Sequence, residues 1–362
     1  GPEHAHQYAI YAWLAAGVLP IMMQRATPRL MEVAPAIEIP FLVSMGILDM
    51  AVVVGVVSLT GGMNGPFWIL AIVTTAGASV IAPSRVVAIG QSFALSTNVL
   101  HYQALQLAAT QADGRHDAKA AAGYRSQAAA LKSAINAHFW RADRGMYMSY
   151  IGGDGTPYDS YDLLGIALAI DSGVADGERA RQALANYPAW PAGSPVIWPE
   201  RSDQPIYHNR AIWPFVSAYA LRAARQLDQP ARIAHEIESV MRGGALHGSN
   251  MENYELLTQG QHVDEGKLSG PVVNSPRQLW SVAAYFAVVA EGVFGLAEDG
   301  HVEPKLPTAL VPMLFGTRRS ITLKLHDRSI TLQLPQSHAG NLLVADRTTT
   351  EGTATTVRLK PV

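Results

Sequence analysis

Two short segments concentrate the residue types that could do chemistry on a sugar. Residues 249–254 read Ser-Asn-Met-Glu-Asn-Tyr, and residues 206–214 read Ile-Tyr-His-Asn-Arg-Ala-Ile-Trp-Pro. Amide and imidazole groups can hydrogen-bond hydroxyls, flat rings can cover a pyranose face, and a carboxylate can act as an acid or base on an acetal. We therefore interpret Glu252 as a catalytic base. The alternative is a glutamate that caps a helix or forms a salt bridge.

Other polar and aromatic residues could line the same site. His208 could bind a hydroxyl or cap the helix that follows it. Trp213 and Trp280 could be sugar platforms or core residues of apolar helices. Trp198 and Glu200 could belong to a sugar-binding lid or to a solvated loop with a local ion pair. The predicted substrate-binding residues are Tyr207, His208, Asn209, Trp213, Tyr254, Trp198, Glu200, Gln278 and Trp280.

The composition argues against several other classes of function. Lysine and arginine number 27 against 29 aspartates and glutamates, and no basic face stands out, so nucleic acid is not an expected partner. The chain has 0 cysteines, which excludes disulfides, thiol nucleophiles and zinc-thiolate sites. No histidine is paired with carboxylates at metal-ligand spacing. We therefore predict neither a metal nor a cofactor.

The elements that must position these residues are helices in alternating pairs. Apolar helices are predicted at residues 92–112, 162–170, 209–227 and 276–296, and amphipathic helices at 116–138, 177–184 and 229–242. Such hairpins, with polar aromatic residues in their loops, predict a mainly α protein with an α/α toroid over residues 91–298. A full six-hairpin toroid needs more than the roughly three and a half pairs found here. Either the N-terminal helices supply the others or the barrel is incomplete.

The first 90 residues differ from the rest in being strongly apolar. Apolar runs cover residues 8–23, 41–59 and 67–81. A membrane span needs about 20 residues. The second run is long enough to cross a bilayer and the other two are of borderline length, so we predict three membrane helices. The alternative is a set of buried helices in a soluble α-barrel. If all three runs span, the positive-inside tendency places Arg25, Arg29 and Arg85 on the cytoplasmic side.

Part of this apolar stretch carries short motifs of its own. These are Leu48-Asp49, Leu59-Thr60-Gly61-Gly62 and Asn64-Gly65-Pro66-Phe67. Residues 40–90 thereby resemble the membrane sensor regions of bacterial histidine kinases and diguanylate cyclases. The apolar runs, together with this resemblance, predict membrane association through residues 8–82 and a place in the bacterial cell envelope, either membrane-associated or periplasmic. Kinase and cyclase output motifs do not follow, so no signalling activity is implied.

The end of the chain changes from helical to alternating periodicity. Residues 321–326 and 329–334 alternate apolar and polar side chains around Asp327 and Arg328, which is the pattern of a β-hairpin. Further strands are predicted at residues 342–345 and 355–359. We expect residues 299–362 to form a small β-sandwich packed on the helical domain.

Four groups of motifs follow one another along residues 139–281. They are Phe139-Trp140 with Gly145-Met146-Tyr147, Tyr207-His208-Asn209 with Ile212-Trp213-Pro214-Phe215, Glu252-Asn253-Tyr254 with Thr258 and Gly260, and Pro276-Arg277-Gln278-Leu279-Trp280-Ser281. In this order they resemble the six-hairpin glycoside hydrolases, a group that includes trehalase, the processing α-glucosidases and mannosylglycerate hydrolase. The resemblance implies that Glu252 is the catalytic base of an inverting enzyme.

The same resemblance implies a second carboxyl group. Inverting glycosidases use two carboxyls about 6.5 to 9.5 Å apart, one protonating the leaving oxygen and the other activating water. The acid normally lies in the earlier half of the barrel, where this chain has apolar segments and Asp49 lies within an apolar run. The best replacements are Asp159 and Asp162, in an aromatic-rich loop. Their alternative role is to cap the helix that begins near Asp162.

These features together predict a glycoside hydrolase that acts on a glucoside or a related oligosaccharide. One rival is a catalytically inactive, membrane-anchored carbohydrate-binding or sensor protein that keeps the sugar-facing loops. Another is a chimeric chain that lacks a complete active site, with its junction at the change of composition near residues 84–91.

Overall fold

The computed structural model describes residues 93–152 and 155–362. The apolar helices, the membrane spans and the basic residues predicted within residues 1–90 lie outside the described residues. In the part of the chain that is described, no helix combines the length and the apolar character needed to cross a membrane. Residues Gln91–Val362 form one compact unit.

The described helices form an inner row, and an outer helix packs on most of the inner helices. The helices are α1 (Leu95–Gly114), α2 (Ala118–His138), α3 (Leu163–Asp171), α4 (Gly177–Asn186), α5 (Pro214–Gln226), α6 (Pro230–His247) and α7 (Leu279–Ala287). In the inner row α1 packs on α3, α3 on α5, and α5 on α7. The outer helices α2, α4 and α6 pack on α1, α3 and α5, respectively. This is the alternation of inner and outer helices that the sequence predicts.

The sequence accounts for the limits of these helices. Seven of the nine residues of α3 are buried, as an almost entirely apolar inner helix requires. Asp117 caps α2, because its side chain accepts a hydrogen bond of 2.9 Å from the Ala120 N–H. Proline is the first residue of both α5 and α6, a position where its missing N–H costs nothing. Helix α5 therefore begins at Pro214 and not at residue 209 as predicted.

Short strand pairs fix the loops at one end of the inner row. The strands are β1 (Phe93–Ala94), β2 (Trp140–Arg141), β3 (Met146–Tyr147), β4 (Tyr150–Ile151), β5 (Tyr161–Asp162), β6 (Ile197–Trp198), β7 (Ala211–Ile212) and β8 (Tyr254–Glu255). They pair as β1 with β4, β2 with β3, β5 with β6, and β7 with β8. Helices α1, α3 and α5 each begin within two residues of one of these strands. The ladders therefore hold loops at the N-terminal ends of the inner helices.

The last part of the chain forms one sheet and not the predicted sandwich. A π-helix (Val288–Val293) extends α7, and α8 (Val311–Phe315) precedes the main strands. The strands are β9 (Lys305–Pro307), β10 (Ser320–Lys324), β11 (Ser329–Gln333), β12 (Leu342–Glu351) and β13 (Ala354–Pro361), in the sheet order β10-β11-β13-β12-β9. The predicted hairpin is β10 and β11, with Lys324 opposite Ser329. A second sheet is not needed because β9 packs on α6 and on the π-helix, and the sheet and the helices share one core.

Candidate active site

Glu252 is a buried carboxylate held by hydrogen bonds alone. It is 5% exposed. Its Oε1 accepts a hydrogen bond of 3.1 Å from the Tyr207 hydroxyl, and its Oε2 accepts one of 2.9 Å from the Ser275 N–H. Glu252 neither caps a helix nor forms a salt bridge with any residue that the structure describes. A carboxylate offers about four acceptor positions, so these two bonds leave it able to accept more.

The structure brings together the two segments that the sequence singles out. Strand β7 pairs with β8, so that Ile212 lies opposite Tyr254. A third segment completes the loop, because the Glu252 N–H donates to the Ser275 carbonyl at 2.9 Å. The Asn274 side chain also donates to the Asn253 carbonyl at 3.0 Å. Sequence reasoning missed Asn274 and Ser275, although they directly precede the motif that begins at Pro276.

Aromatic rings cluster beside Glu252. His208 stacks on Trp213, with ring centroids 5.0 Å apart and planes 12° apart. Trp213 also contacts Tyr207 and Trp280, at centroid distances of 5.2 and 6.0 Å. Trp213 is 4% exposed and donates its Nε1–H to the Tyr207 carbonyl at 2.8 Å, so it supports the cluster from within. Trp280 is 44% exposed. Of the two tryptophans predicted to be sugar platforms, it is the one whose ring is accessible to solvent.

The two titratable side chains beside Glu252, Tyr207 and His208, are both neutral at neutral pH. Burial lowers the pKa of His208, against the opposing effect of the nearby Glu252 charge, so the imidazole is neutral at neutral pH. Burial and the hydrogen bond to Glu252 raise the pKa of Tyr207, so its phenol keeps its proton and stays a donor. Because Trp213 occupies the N-cap position of α5, His208 does not cap that helix. A neutral His208 can instead donate to or accept from a hydroxyl group.

Two residues predicted to bind substrate have structural roles. Asn209 is 3% exposed, and its Nδ2 donates to the carbonyls of Arg201 and Gln204 at 2.8 and 2.9 Å. Its Oδ1 accepts the Arg201 N–H at 2.8 Å, so this amide holds the preceding loop in place. Tyr254 is 1% exposed, and its hydroxyl donates to the Ser249 carbonyl at 3.3 Å. Neither side chain is placed to contact a sugar.

The two candidates for the general acid also have structural partners. Asp162 is the N-cap of α3 and accepts a hydrogen bond from the Gly165 N–H, which is its alternative role. Burial raises its pKa. Asp159 accepts a hydrogen bond of 2.7 Å from the Tyr161 hydroxyl and pairs with Arg144 at 2.7 Å. The Tyr161 hydrogen bond is the main cause that lowers the pKa of Asp159, which is opposite to what a general acid needs.

The remaining predicted residues lie on loops around this site. Trp198, in β6, packs its ring against a tyrosine of β5 at 5.6 Å. Glu200 is half exposed, and its Oε2 lies 3.4 Å from Nε of the buried Arg210, which is the local ion pair named as its alternative. Gln278 is the N-cap residue of α7, and its backbone N–H donates to the Asn250 carbonyl at 2.9 Å. This bond ties the start of α7 to the Glu252 loop.

A separate cavity of about 580 Å³ lies at the C-terminal ends of α3 and α5. Asp171, Arg222 and Glu291 are among the residues that line it, and Glu252 is not. Sequence reasoning missed this cavity, although Asp171 and Glu291 are isolated charges in otherwise apolar segments. Within residues 93–152 and 155–362 no group of three or more histidine, aspartate or glutamate side chains is arranged to hold a metal ion.

Comparison with known proteins gives partial likenesses only. No protein-family model matches the sequence, and no curated protein matches it. Among solved structures, a sialidase has 15% identity and a TM-score of 0.48, covering 64% of this chain and 22% of that one. A mannosylglycerate hydrolase of family GH63 from Thermus thermophilus, in complex with glucose, has 18% identity and a TM-score of 0.41, covering 53% and 47%. A neutral trehalase from Saccharomyces cerevisiae has 15% identity and a TM-score of 0.42, covering 57% and 38%.

The last two proteins have folds of the six-hairpin glycoside hydrolase type, which is the group that the sequence motifs resemble. This chain spans less than half the length of each of the three solved structures.

Proposed function

We propose that this chain is a glycoside hydrolase with an α/α-toroid type of domain and that Glu252 is its general base. One observation carries the proposal. A buried carboxylate without a cationic partner is held by Tyr207 and Ser275 and keeps acceptor capacity next to the ring cluster. Burying an unpaired carboxylate is costly, so a purely structural glutamate would be expected to have a cationic partner.

The geometry suggests a role for each neighbouring group. Glu252 would take a proton from a water molecule while the water oxygen attacks the anomeric carbon, and the leaving oxygen would take a proton from a general acid. The Tyr207 hydroxyl and the Ser275 N–H would fix the orientation of the carboxylate. The neutral His208 would hydrogen-bond a sugar hydroxyl, and the exposed ring of Trp280 would cover a pyranose face. The substrate proposed is a glucoside or a related oligosaccharide, with inversion at the anomeric carbon.

The test is the substitution Glu252→Gln, which preserves shape and removes the base. Hydrolysis of a panel of glucosides should fall by about 100-fold or more, because general bases contribute about that much. Glu238→Gln is the matched control, since Glu238 is an exposed glutamate on α6. NMR of the first product formed should show inverted anomeric configuration. Undiminished hydrolysis by the Glu252→Gln variant would refute the role of Glu252.

A second function, sugar binding without turnover, is favoured by one observation. Both predicted acids are engaged elsewhere, Asp162 as a helix cap and Asp159 with Arg144. In that case the wild type would bind a saccharide without hydrolysing it, and calorimetry on the same panel of glucosides would measure this. Membrane anchorage through residues 8–82 and a place in the cell envelope remain proposals that concern residues outside the described ranges.

A further inference from the structure

The cavity around Asp171 is distinct from the Glu252 site. Trp213 lies at the start of α5 and contacts the Glu252 cluster, whereas Arg222 lies nine residues further along the chain and lines the cavity. At 1.5 Å per residue, Trp213 and Arg222 are separated by about 13 Å along the helix axis. The two sites therefore lie at opposite ends of the same inner helices. At about 580 Å³, the cavity has the size of pockets that bind small molecules.

Asp171 is the partly buried carboxylate in this cavity that lacks a partner, whereas Glu298, which also lines the cavity, is exposed. Asp171 is the last residue of α3, and its carboxylate forms neither a hydrogen bond nor an ion pair with any described residue. Its pKa is raised to about 7, mainly by burial, while the charge of Arg222 lowers the pKa and that of Glu291 raises it. An unpaired carboxylate facing a cavity at the carbonyl end of a helix is a place where a positive charge would be stabilised.

The cationic side chains of the cavity are already paired. Arg222 forms two parallel hydrogen bonds to Glu291, of 2.7 and 2.8 Å. Arg225 donates to the carbonyls of Gly292 and Glu303, at 3.1 and 2.9 Å. The described lining thus offers no free guanidinium for an anionic ligand. The charged and titratable groups around Asp171 are Tyr219, Arg222 and Arg225 on α5, Glu291 on the π-helix, and Glu298, His301 and Glu303 on the loop that follows.

The walls of the cavity suit a carbon skeleton better than a bare metal ion. Leu168, Leu296 and the ring of Tyr219 line it beside the charged groups. In the described part of the chain no set of acidic and histidine side chains is arranged for a metal. Glu291 enters the cavity from the π-helix Val288–Val293, and such helical irregularities occur frequently at functional sites.

We propose that this cavity binds a small organic cation, whose ammonium group pairs with Asp171 and whose carbon skeleton lies against Leu168 and Tyr219. The inference does not depend on the proposed hydrolase activity. Glu291 keeps its partner Arg222, so Asp171 is the anchor that gives the site its preference for a positive charge.

The experiment compares a cation with its neutral counterpart of the same shape. Benzylamine and benzyl alcohol are titrated into the 362-residue chain by calorimetry at pH 8, where Asp171 is ionised. Benzylamine should bind about tenfold or more tightly than benzyl alcohol, because a hydrogen-bonded charge pair is worth at least that much. Asp171→Asn should abolish the difference, while Glu298→Gln, on the exposed rim, should change the affinity only slightly.

Proton release gives an independent readout. At pH 6 benzylamine should displace a proton from Asp171, so the measured heat should differ between buffers of different ionisation enthalpy. The Asp171→Asn variant should show no such difference, and its thermal unfolding confirms that it is folded. Equal affinity for the amine and the alcohol, unchanged binding by Asp171→Asn, or no binding at millimolar benzylamine would each overturn the proposal. Glu252→Gln should leave amine binding intact, which keeps this result separate from the test of hydrolysis.

Discussion

At the scale of single residues, the two buried glutamates Glu252 and Glu255 differ in the partners of their carboxylates. Glu255, three residues after Glu252, is equally buried, but its Oε2 accepts three hydrogen bonds from Leu257 and Thr258. It also lies 3.8 Å from Arg210. Glu252 has only a phenol and one backbone N–H. Because of this difference in partners, we propose Glu252, and not its neighbour, as the residue that takes a proton.

Asp162 is the residue where a structural and a catalytic role can be told apart by one substitution. Asparagine caps helices about as well as aspartate, so Asp162→Asn should keep the hydrogen bond from Gly165. Burial raises the pKa of Asp162 in the folded state, so the native chain binds its proton more tightly than the unfolded chain. The wild type therefore loses stability as the pH rises from the ordinary pKa of aspartate through the raised value, and the variant does not.

We expect Asp162→Asn to unfold at an equal or higher temperature than the wild type at pH 7 and to lose this advantage near pH 3. Scanning calorimetry at both pH values measures the effect. Turnover should remain close to that of the wild type if the residue only caps α3. A stable variant that has lost hydrolysis would instead identify Asp162 as the general acid.

At the scale of elements, the start of α3 depends on a residue without a side chain. A Cβ atom at Gly165 would lie 2.8 and 2.9 Å from the Asp162 carboxylate oxygens and 3.0 Å from the Leu95 side chain. Gly165→Ala should therefore disturb both the cap of α3 and its packing on α1. We expect a loss of about 1 to 3 kcal/mol in the free energy of unfolding, measured by denaturant titration.

The matched control is Gly123→Ala in α2. Apart from its chain neighbours and the backbone of its own helix, no atom lies within 4 Å of a Cβ built at Gly123, so alanine should stabilise this helix by about 0.5 to 1 kcal/mol. Similar effects of the two substitutions would show that the Asp162 contact does not constrain α3.

The elements also show which features can be read from sequence. The inner helices were predictable because their apolar residues recur at helical spacing, as Leu95, Val99 and Tyr102 do in α1. The approach of the Tyr207 and Glu252 segments was inferred from residue types alone. The start of α5 was misplaced because the pairing of β7 with β8, which involves residues far apart in sequence, outweighs local helical periodicity before Pro214.

Side-chain roles were harder to predict than the elements that carry them. Asn209 looks like a sugar ligand in sequence, but its three hydrogen bonds to a loop depend on the fold of that loop. The cavity at Asp171 is lined by residues of α1, α3, α5, the π-helix and a loop, so no single stretch of sequence reveals it. At the end of the chain the alternating pattern predicts a sandwich where the structure has a single sheet, because alternation shows that one face of a strand is buried but not what covers that face.

At the scale of the whole described unit, the helices and the terminal sheet form one hydrophobic core. Leu306 in β9 and Ile330 in β11 belong to the same cluster of buried residues as Ile233 and Val240 of α6. Strand β9 contacts both α6 and the π-helix. Because the sheet covers apolar surface of the helices, we expect the two parts to unfold together.

Leu306→Ala tests this coupling. Leu306 is 0% exposed, and removing its side chain should lower the free energy of unfolding by about 2 to 5 kcal/mol. Leu107→Ala on α1, at a position 61% exposed, is the matched control and should have little effect. Helical circular dichroism and tryptophan fluorescence should report one shared transition at a lower denaturant concentration for Leu306→Ala. The tryptophans of the described residues lie on the helices and their loops, remote in sequence from β9. A sheet that melts alone while helical signal and fluorescence keep the wild-type midpoint would show that residues 299–362 are an independent module.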